Sequence, residues 1–160
     1  MPEVVEMITE AAFIDAPRDP RIKALHDYWD GLRGDRAMPA RADVDPGAIP
    51  KLLPYIFMYD VTAEGGYTIR LVGEEVVRFV GRNATGFPAG TVMPPRSAAM
   101  IIKILDMVTA EQAPKFRAGK THWHPDKAYR DYESCFLPLS ADGHTVNIVL
   151  GGLAFPRPTD

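Results

Sequence analysis

The first clear pattern of apolar and polar residues along the chain has the period of a helix. Over residues 20–33 apolar side chains recur at spacings of three and four, which places them on one face of a helix. That face consists of Ile22, Leu25, Trp29 and Leu32. Asp19 and Pro20 suit the start of the helix, and Gly34 suits its end. The pattern predicts an N-terminal amphipathic helix, preceded by a flexible arm at residues 1–18.

A proline-rich stretch then leads from this helix into the first predicted strand. The Asp-Pro pair at 45–46 is a second helix-start signal, and Pro50 and Pro54 keep the helix that follows short. Beyond Pro54 the residues become aromatic and β-branched, which is typical of a buried strand. This strand is predicted at 55–61, and an alternating strand at 67–73 is expected to pair with it antiparallel.

The second half of the chain predicts two helices and three strands. A short helix over 74–80 is expected to end at Gly81, and a longer helix over 97–113 is expected to end before Pro114. The buried face of the longer helix is predicted to hold Ile101, Ile104, Leu105 and Val108. The strand-like segments that follow are residues 115–124, 131–140 and 144–155.

These elements predict an α+β domain over residues 19–156. Its sheet would have five antiparallel strands with helices on one face, preceded by the N-terminal amphipathic helix. The last strand is long and contains glycine, and we expect it at the centre of the sheet, paired with the first. Residues 157–160 are predicted to be a frayed tail.

Composition narrows the classes of function. The chain has 160 residues, the size of one domain, and its formal charge of −3 argues against a nucleic-acid partner. A single cysteine, Cys135, excludes an internal disulfide. The acidic start is unlike a secretory signal, and no apolar run approaches the roughly 20 residues that cross a bilayer. We therefore expect a cytoplasmic protein with no integral membrane contact, and one fold accounts for the whole chain.

Several motifs in the first half of the chain occur together in one known family. They are Tyr28-Trp29, the segment 36–46 with the sequence RAMPARADVDP, Leu53-Pro54, the segment RLVG at 70–73 and the segment GRNATG at 81–86. With the predicted order of elements, they resemble the compact stand-alone bacterial members of the PAS domain family. The resemblance implies a PAS fold and a non-enzymatic signalling role, in which the protein binds a small molecule, a protein partner or both.

Polar side chains on the predicted strands are candidates for binding such a ligand. The charge of Arg70, inside a strand, needs solvent, a protein carboxylate such as Asp60, or a ligand anion. A small ligand between the sheet and the helices could be oriented by aromatic side chains with polar tips, which here are Tyr59, Trp123 and Tyr132. The predicted ligand-binding residues are therefore Tyr59, Arg70, Trp123 and Tyr132.

Two alternative functions, a metal site and a small enzyme, would depend on histidines of one predicted strand. His122 and His124 share a strand face, and with Cys135 or His144 they would suit zinc or copper if the four side chains converged. A small α+β enzyme would instead use one of these histidines beside an acid such as Glu133. The sequence shows no catalytic triad order and no metal signature, so we predict no catalytic residue, no bound metal and no cofactor.

The predicted output of the protein is a contact with another chain. We expect a homodimer and a signalling protein partner, with Tyr28, Trp29 and the N-terminal arm at the contact. A ligand-free structural adaptor is the further alternative, because the sequence does not show whether the core contains a cavity.

Overall fold

The fold is an antiparallel sheet with helices against both of its faces. The computed structural model describes residues 8–91, 93–122 and 129–156. Its strands are β1 Ile8–Ile14, β2 Ile56–Val61, β3 Tyr67–Val72, β4 Lys115–His122, β5 Tyr129–Leu139 and β6 Ile148–Ala154. Its helices are α1 Pro20–Arg33, α2 Glu74–Val80 and α3 Pro95–Glu111. The strands lie in the order β1-β4-β5-β6-β2-β3, and each neighbouring pair is antiparallel. The predicted α+β class is confirmed.

The last strand, β6, lies inside the sheet between β5 and β2, as predicted. Its adjacent glycines let both faces of the sheet pack closely. A side chain at Gly152 would begin 2.9 Å from Leu25 of α1, and one at Gly151 would begin 2.1 Å from the Phe57 ring. Because successive strand residues point to opposite faces, α1 and Phe57 lie on opposite sides of the sheet.

Within the described residues the sheet has six strands, one more than the sequence predicted. The additional strand is β1, which comes from the segment predicted as an arm and pairs with β4, so that Phe13 lies opposite Arg117. The sequence ITEAAFI shows little alternation, because a glutamate and two alanines interrupt its apolar positions. Pairing with the otherwise free edge of β4 explains this strand better than its side-chain pattern does.

Helix α1 covers the face of the sheet that Gly152 points to. The side chain of Asp19 accepts a hydrogen bond from the Arg21 N–H, and Ile22, Leu25 and Trp29 are buried. The carboxylate of Glu133 on β5 accepts the backbone N–H groups of Arg18 and Asp19, each at 2.9 Å. This contact ties the start of α1 to the middle of the sheet.

The lead-in between α1 and β2 consists of three short 3₁₀ turns, at Arg41–Asp43, Pro46–Ala48 and Leu53–Tyr55. Asp43 accepts the Ala40 N–H at 2.8 Å and lies 3.0 Å from the Arg36 guanidinium. Asp45 caps the second turn through the Gly47 N–H. These carboxylates hold the turns together locally.

Helices α2 and α3 lie on the other face of the sheet. Helix α3 buries the four predicted apolar residues. It begins at Pro95 rather than at residue 97, because proline is tolerated in the first helical turn. In the part of the chain that the structure describes, no helix is both long enough and apolar enough to span a membrane.

Candidate ligand-binding site

A cavity lies between the inner face of the sheet and helices α2 and α3. Its free volume is about 80 Å³. Most of its wall is apolar and comes from β2, β3, α2 and α3, including Phe57, Ile69, Val76, Phe79 and Ile101. Polar side chains of β4 and β5 form one end of it: Arg117, Tyr132 and Ser134. The surface of the cavity is therefore almost wholly apolar, and three polar side chains stand at one end of it.

The alternation of β5 brings its polar side chains to this cavity. Tyr132, Ser134 and Phe136 line it, whereas Glu133 between them turns to the opposite face and contacts the start of α1. Arg117 on β4 lies opposite Ser134 in the register, so it shares the inner face. Two neighbouring strands therefore position all three polar groups.

Arg117 is a buried cation that has no carboxylate partner within the described part of the chain. The residue is 4% exposed, and its Nε has no hydrogen-bond partner among the described residues. Its guanidinium carbon lies 5.6 Å from the ring centroid of Phe13 on β1, a cation–π contact. That contact does not neutralise the charge, and an unpaired buried ion costs on the order of several kcal/mol.

Tyr132 adds a second buried polar group to the same end of the cavity. The residue is 3% exposed, and its hydroxyl has no hydrogen-bond partner among the described residues. Burial raises the pKa of the Tyr132 hydroxyl, and the positive charge of Arg117 opposes that shift. The hydroxyl is therefore neutral at physiological pH, and the described residues leave its hydrogen-bonding capacity unused.

Tyr59, another predicted ligand residue, also lines the cavity. Its ring packs edge-to-face on Phe57, with centroids 5.6 Å apart. Burial raises the pKa of Tyr59 to about 12, so this hydroxyl also remains protonated at neutral pH.

Of the other two predicted ligand residues, the structure describes only Arg70, which does not line the cavity. Arg70 is exposed, and its Nη1 donates to the Asp60 carboxylate at 2.9 Å, which is the protein partner that the sequence offered for it. Trp123 lies outside the described residues. The buried cation of the site is Arg117, which the sequence pattern did not single out. Its strand position resembles that of Arg70, and only the register of β4 against β5 distinguishes the two arginines.

The predicted interaction residues also differ in their accessibility. Trp29 is 3% exposed, and its Nε1 donates to the Pro138 carbonyl at 2.8 Å, so its indole belongs to the core. Tyr28 is half-buried, and its hydroxyl accepts the Asp45 N–H at 2.9 Å. The apolar spacing that predicted the helix also predicts the burial of Trp29, so this residue is a packing residue here and not a contact surface.

The residues of the alternative functions do not form a site in the described part of the chain. There, no cluster of three or more histidine, cysteine, aspartate or glutamate residues is arranged to hold a metal ion. His124 lies outside the described residues, as does the side chain of His122. Burial raises the pKa of Cys135 to about 12, so its thiol is neither ionised nor accessible. The Glu133 carboxylate already accepts two backbone N–H groups at the start of α1.

The sheet order, with helices closing a cavity on one face, defines an α+β fold of the kind found in small ligand-binding domains. The sequence model of the PAS domain family matches residues 18–154, and the chain belongs to that family, whose members are generally sensory and signalling domains. The structure is similar to the PAS domain of BvgS from Bordetella pertussis, at 14% identity and a TM-score of 0.54, covering 84% of this chain and 87% of that one. It is also similar to an RNA-binding light-oxygen-voltage receptor, at 13% identity and a TM-score of 0.50, covering 93% of this chain and 39% of that one. Among curated proteins no significant match is found. At these identities the solved structures support the fold alone.

Proposed function

We propose that this PAS domain is a non-enzymatic sensor that binds a small molecule in the inner cavity and reports its presence to a protein partner. The observation that carries the proposal is the cavity itself. Its wall is mostly apolar, it encloses about 80 Å³, and the buried hydroxyl of Tyr132 at one end lacks a partner within the described residues. A solid adaptor core would be expected to fill such a space and to satisfy such a hydroxyl.

Native mass spectrometry of gently purified protein tests whether a molecule occupies the cavity. We expect a bound species of small mass that dissociates on unfolding. The variant Val76→Phe replaces a small side chain of the cavity wall by an aromatic ring and should abolish that species. The matched control is Val77→Phe, on the same helix but outside the cavity lining, which should retain it. A bound species that survives equally in both folded variants would contradict the proposed site.

A homodimer and a signalling partner are part of the same proposal. Since Trp29 belongs to the core, the contact would use exposed apolar side chains, such as Phe13 on the edge strand β1, which is 46% exposed. Analytical ultracentrifugation of wild type and of Phe13→Ser tests the dimer. We expect the wild type to dimerise and the variant to dimerise more weakly. A wild type that stays monomeric at all concentrations would contradict the homodimer.

A further inference from the structure

The charges around the cavity restrict the chemistry of its ligand. Two arginines line it, Arg117 in its interior and Arg82 as an exposed residue, whereas no aspartate or glutamate of the described chain does. Because Arg82 is exposed, solvent compensates its charge, and its guanidinium carbon lies 4.9 Å from the centroid of the Phe87 ring. Among the described residues that line the cavity, Arg117 is thus the buried charge that lacks a counter-ion. A ligand that supplies one negative charge would compensate it.

The uncharged groups beside Arg117 suit a carboxylate. The Tyr132 hydroxyl is a donor with no partner in the described ranges, and Ser134 lies opposite Arg117 in the sheet register. A carboxylate has two oxygens, which accept hydrogen bonds from a guanidinium and a neighbouring hydroxyl together. The apolar wall, with Phe57, Ile69 and Ile101, offers no charge to a second anionic group, and the charge of Arg82 is already in solvent. One acidic end and one apolar end therefore complement the cavity.

The volume sets the length of the ligand. A free volume of about 80 Å³ is well above the roughly 10–15 Å³ that one buried water needs, so the cavity accommodates a small organic molecule of several non-hydrogen atoms. Butanoate has six such atoms and hexanoate has eight, whereas decanoate has twelve.

We propose that the cavity binds a short-chain aliphatic monocarboxylate. Its carboxylate lies against Arg117 and Tyr132, and its carbon chain lies against the apolar wall. This assignment rests on the proposed function and adds the class of ligand to it. The neutral pair that forms when the carboxylate meets Arg117 makes the occupied state more favourable than the empty one.

Calorimetric titration with sodium butanoate, hexanoate and decanoate tests the assignment, with hexan-1-ol, hexanamide, adipate and sodium chloride as comparison probes. We expect affinity to rise from butanoate to hexanoate and to fall for decanoate. Hexan-1-ol and hexanamide should bind about tenfold to a hundredfold more weakly than hexanoate, because they lack the charge-assisted bonds. Sodium chloride should not displace hexanoate at equal concentration.

Variants locate the carboxylate. Arg117→Met keeps the length of the side chain and removes its charge, so it should eliminate the preference for hexanoate over hexan-1-ol. Tyr132→Phe keeps the ring and should weaken hexanoate severalfold. It serves as the second variant if Arg117→Met does not fold. The matched control is Arg70→Gln, an exposed arginine outside the cavity, which should bind hexanoate as the wild type does.

The outcomes separate this assignment from the proposed function. Equal binding of hexan-1-ol and hexanoate, or tighter binding of adipate, would leave a ligand-binding cavity but overturn the monocarboxylate. Displacement of hexanoate by chloride would show an anion site without recognition of the chain and would also overturn it. If none of the probes binds and native mass spectrometry finds no retained molecule, both the assignment and the proposed function fail.

Discussion

Gly151 lies opposite Phe57 in the pairing of β6 with β2, and the Phe57 ring occupies the space that a side chain at Gly151 would need. The Cβ of any other residue would lie 2.1 Å from the ring atoms. Phe57 also packs against Phe136, with ring centroids 5.5 Å apart, and both rings line the cavity. The missing side chain in β6 thus allows the aromatic wall of the site to lie flat on the sheet.

The substitution Gly151→Ala tests this relationship. The added methyl group must displace the Phe57 ring, and overpacking of this kind costs about 1–3 kcal/mol. We expect the free energy of unfolding in urea to fall by that amount. The cavity should also change shape, because its wall moves.

Gly31→Ala is the matched control for that variant. Gly31 lies in α1, and a Cβ built there meets no atom within 4 Å. Alanine favours a helix over glycine by about 0.5–1 kcal/mol, so this variant should be more stable than the wild type. Equal losses of stability in both variants would contradict the packing argument at Gly151.

The fold could be predicted from sequence wherever one side-chain period dominates. The stripe of Ile22, Leu25 and Trp29 located α1, and the alternation of 67–73 located β3. Strand β1 was missed because its order comes from backbone pairing with β4, which leaves no trace in the side-chain pattern. The partner edge of a strand is a property of the whole sheet, not of a local window.

The site was harder to predict than the fold, for the same reason. The sequence offers two strand arginines, Arg70 and Arg117, and the predicted ligand residue, Arg70, is the exposed one. Both alternate with apolar neighbours, so local pattern does not separate them. The register of β4 with β5 puts Arg117 beside Tyr132 and Ser134, and register between strands distant in sequence is set by tertiary packing.

The contact of Glu133 with the start of α1 predicts a second effect on stability. Its carboxylate is buried and accepts the N–H groups of Arg18 and Asp19. Glu133→Gln keeps the shape of the side chain but weakens two charge-assisted bonds, so we expect a loss of about 1–3 kcal/mol in the free energy of unfolding. Residues around Arg18 should also become more sensitive to limited proteolysis.

Asp131→Asn is the control for the Glu133 variant. Asp131 is exposed on the same strand, and exposed substitutions of this kind usually change stability by less than about 0.5 kcal/mol. If both variants unfold at the same urea concentration as the wild type, the bonds from Glu133 do not anchor α1.

The turn before β6 predicts a loss of stability in acid. The Asp142 carboxylate accepts the backbone N–H groups of Thr145 and His144, each at 2.8 Å, and these bonds lower its pKa to about 2. A carboxyl whose pKa is lower in the folded state stabilises the fold above its ordinary pKa, 3.8, and this contribution is lost as pH falls toward 2. Asp142→Asn should therefore show a flatter decline of stability between pH 4 and about 2. Asp35→Asn, an exposed control, should follow the wild type.

Alkaline pH is expected to destabilise the fold through Tyr59 and Cys135. Burial raises the pKa of Tyr59 from 10.0 to about 12 and that of Cys135 from 9.0 to about 12. Both groups hold their protons more tightly in the folded protein, so their contribution is complete below the unfolded pKa and is lost as pH rises through the folded one. The urea midpoint of the wild type should therefore fall from about pH 9 upward. Tyr59→Phe should lose less stability over pH 10–12, whereas Tyr28→Phe, which removes a half-buried hydroxyl, should keep the slope of the wild type. A wild-type midpoint that stays constant over this range would mean that the pKa values of Tyr59 and Cys135 do not differ between the folded and unfolded states, and would contradict this prediction.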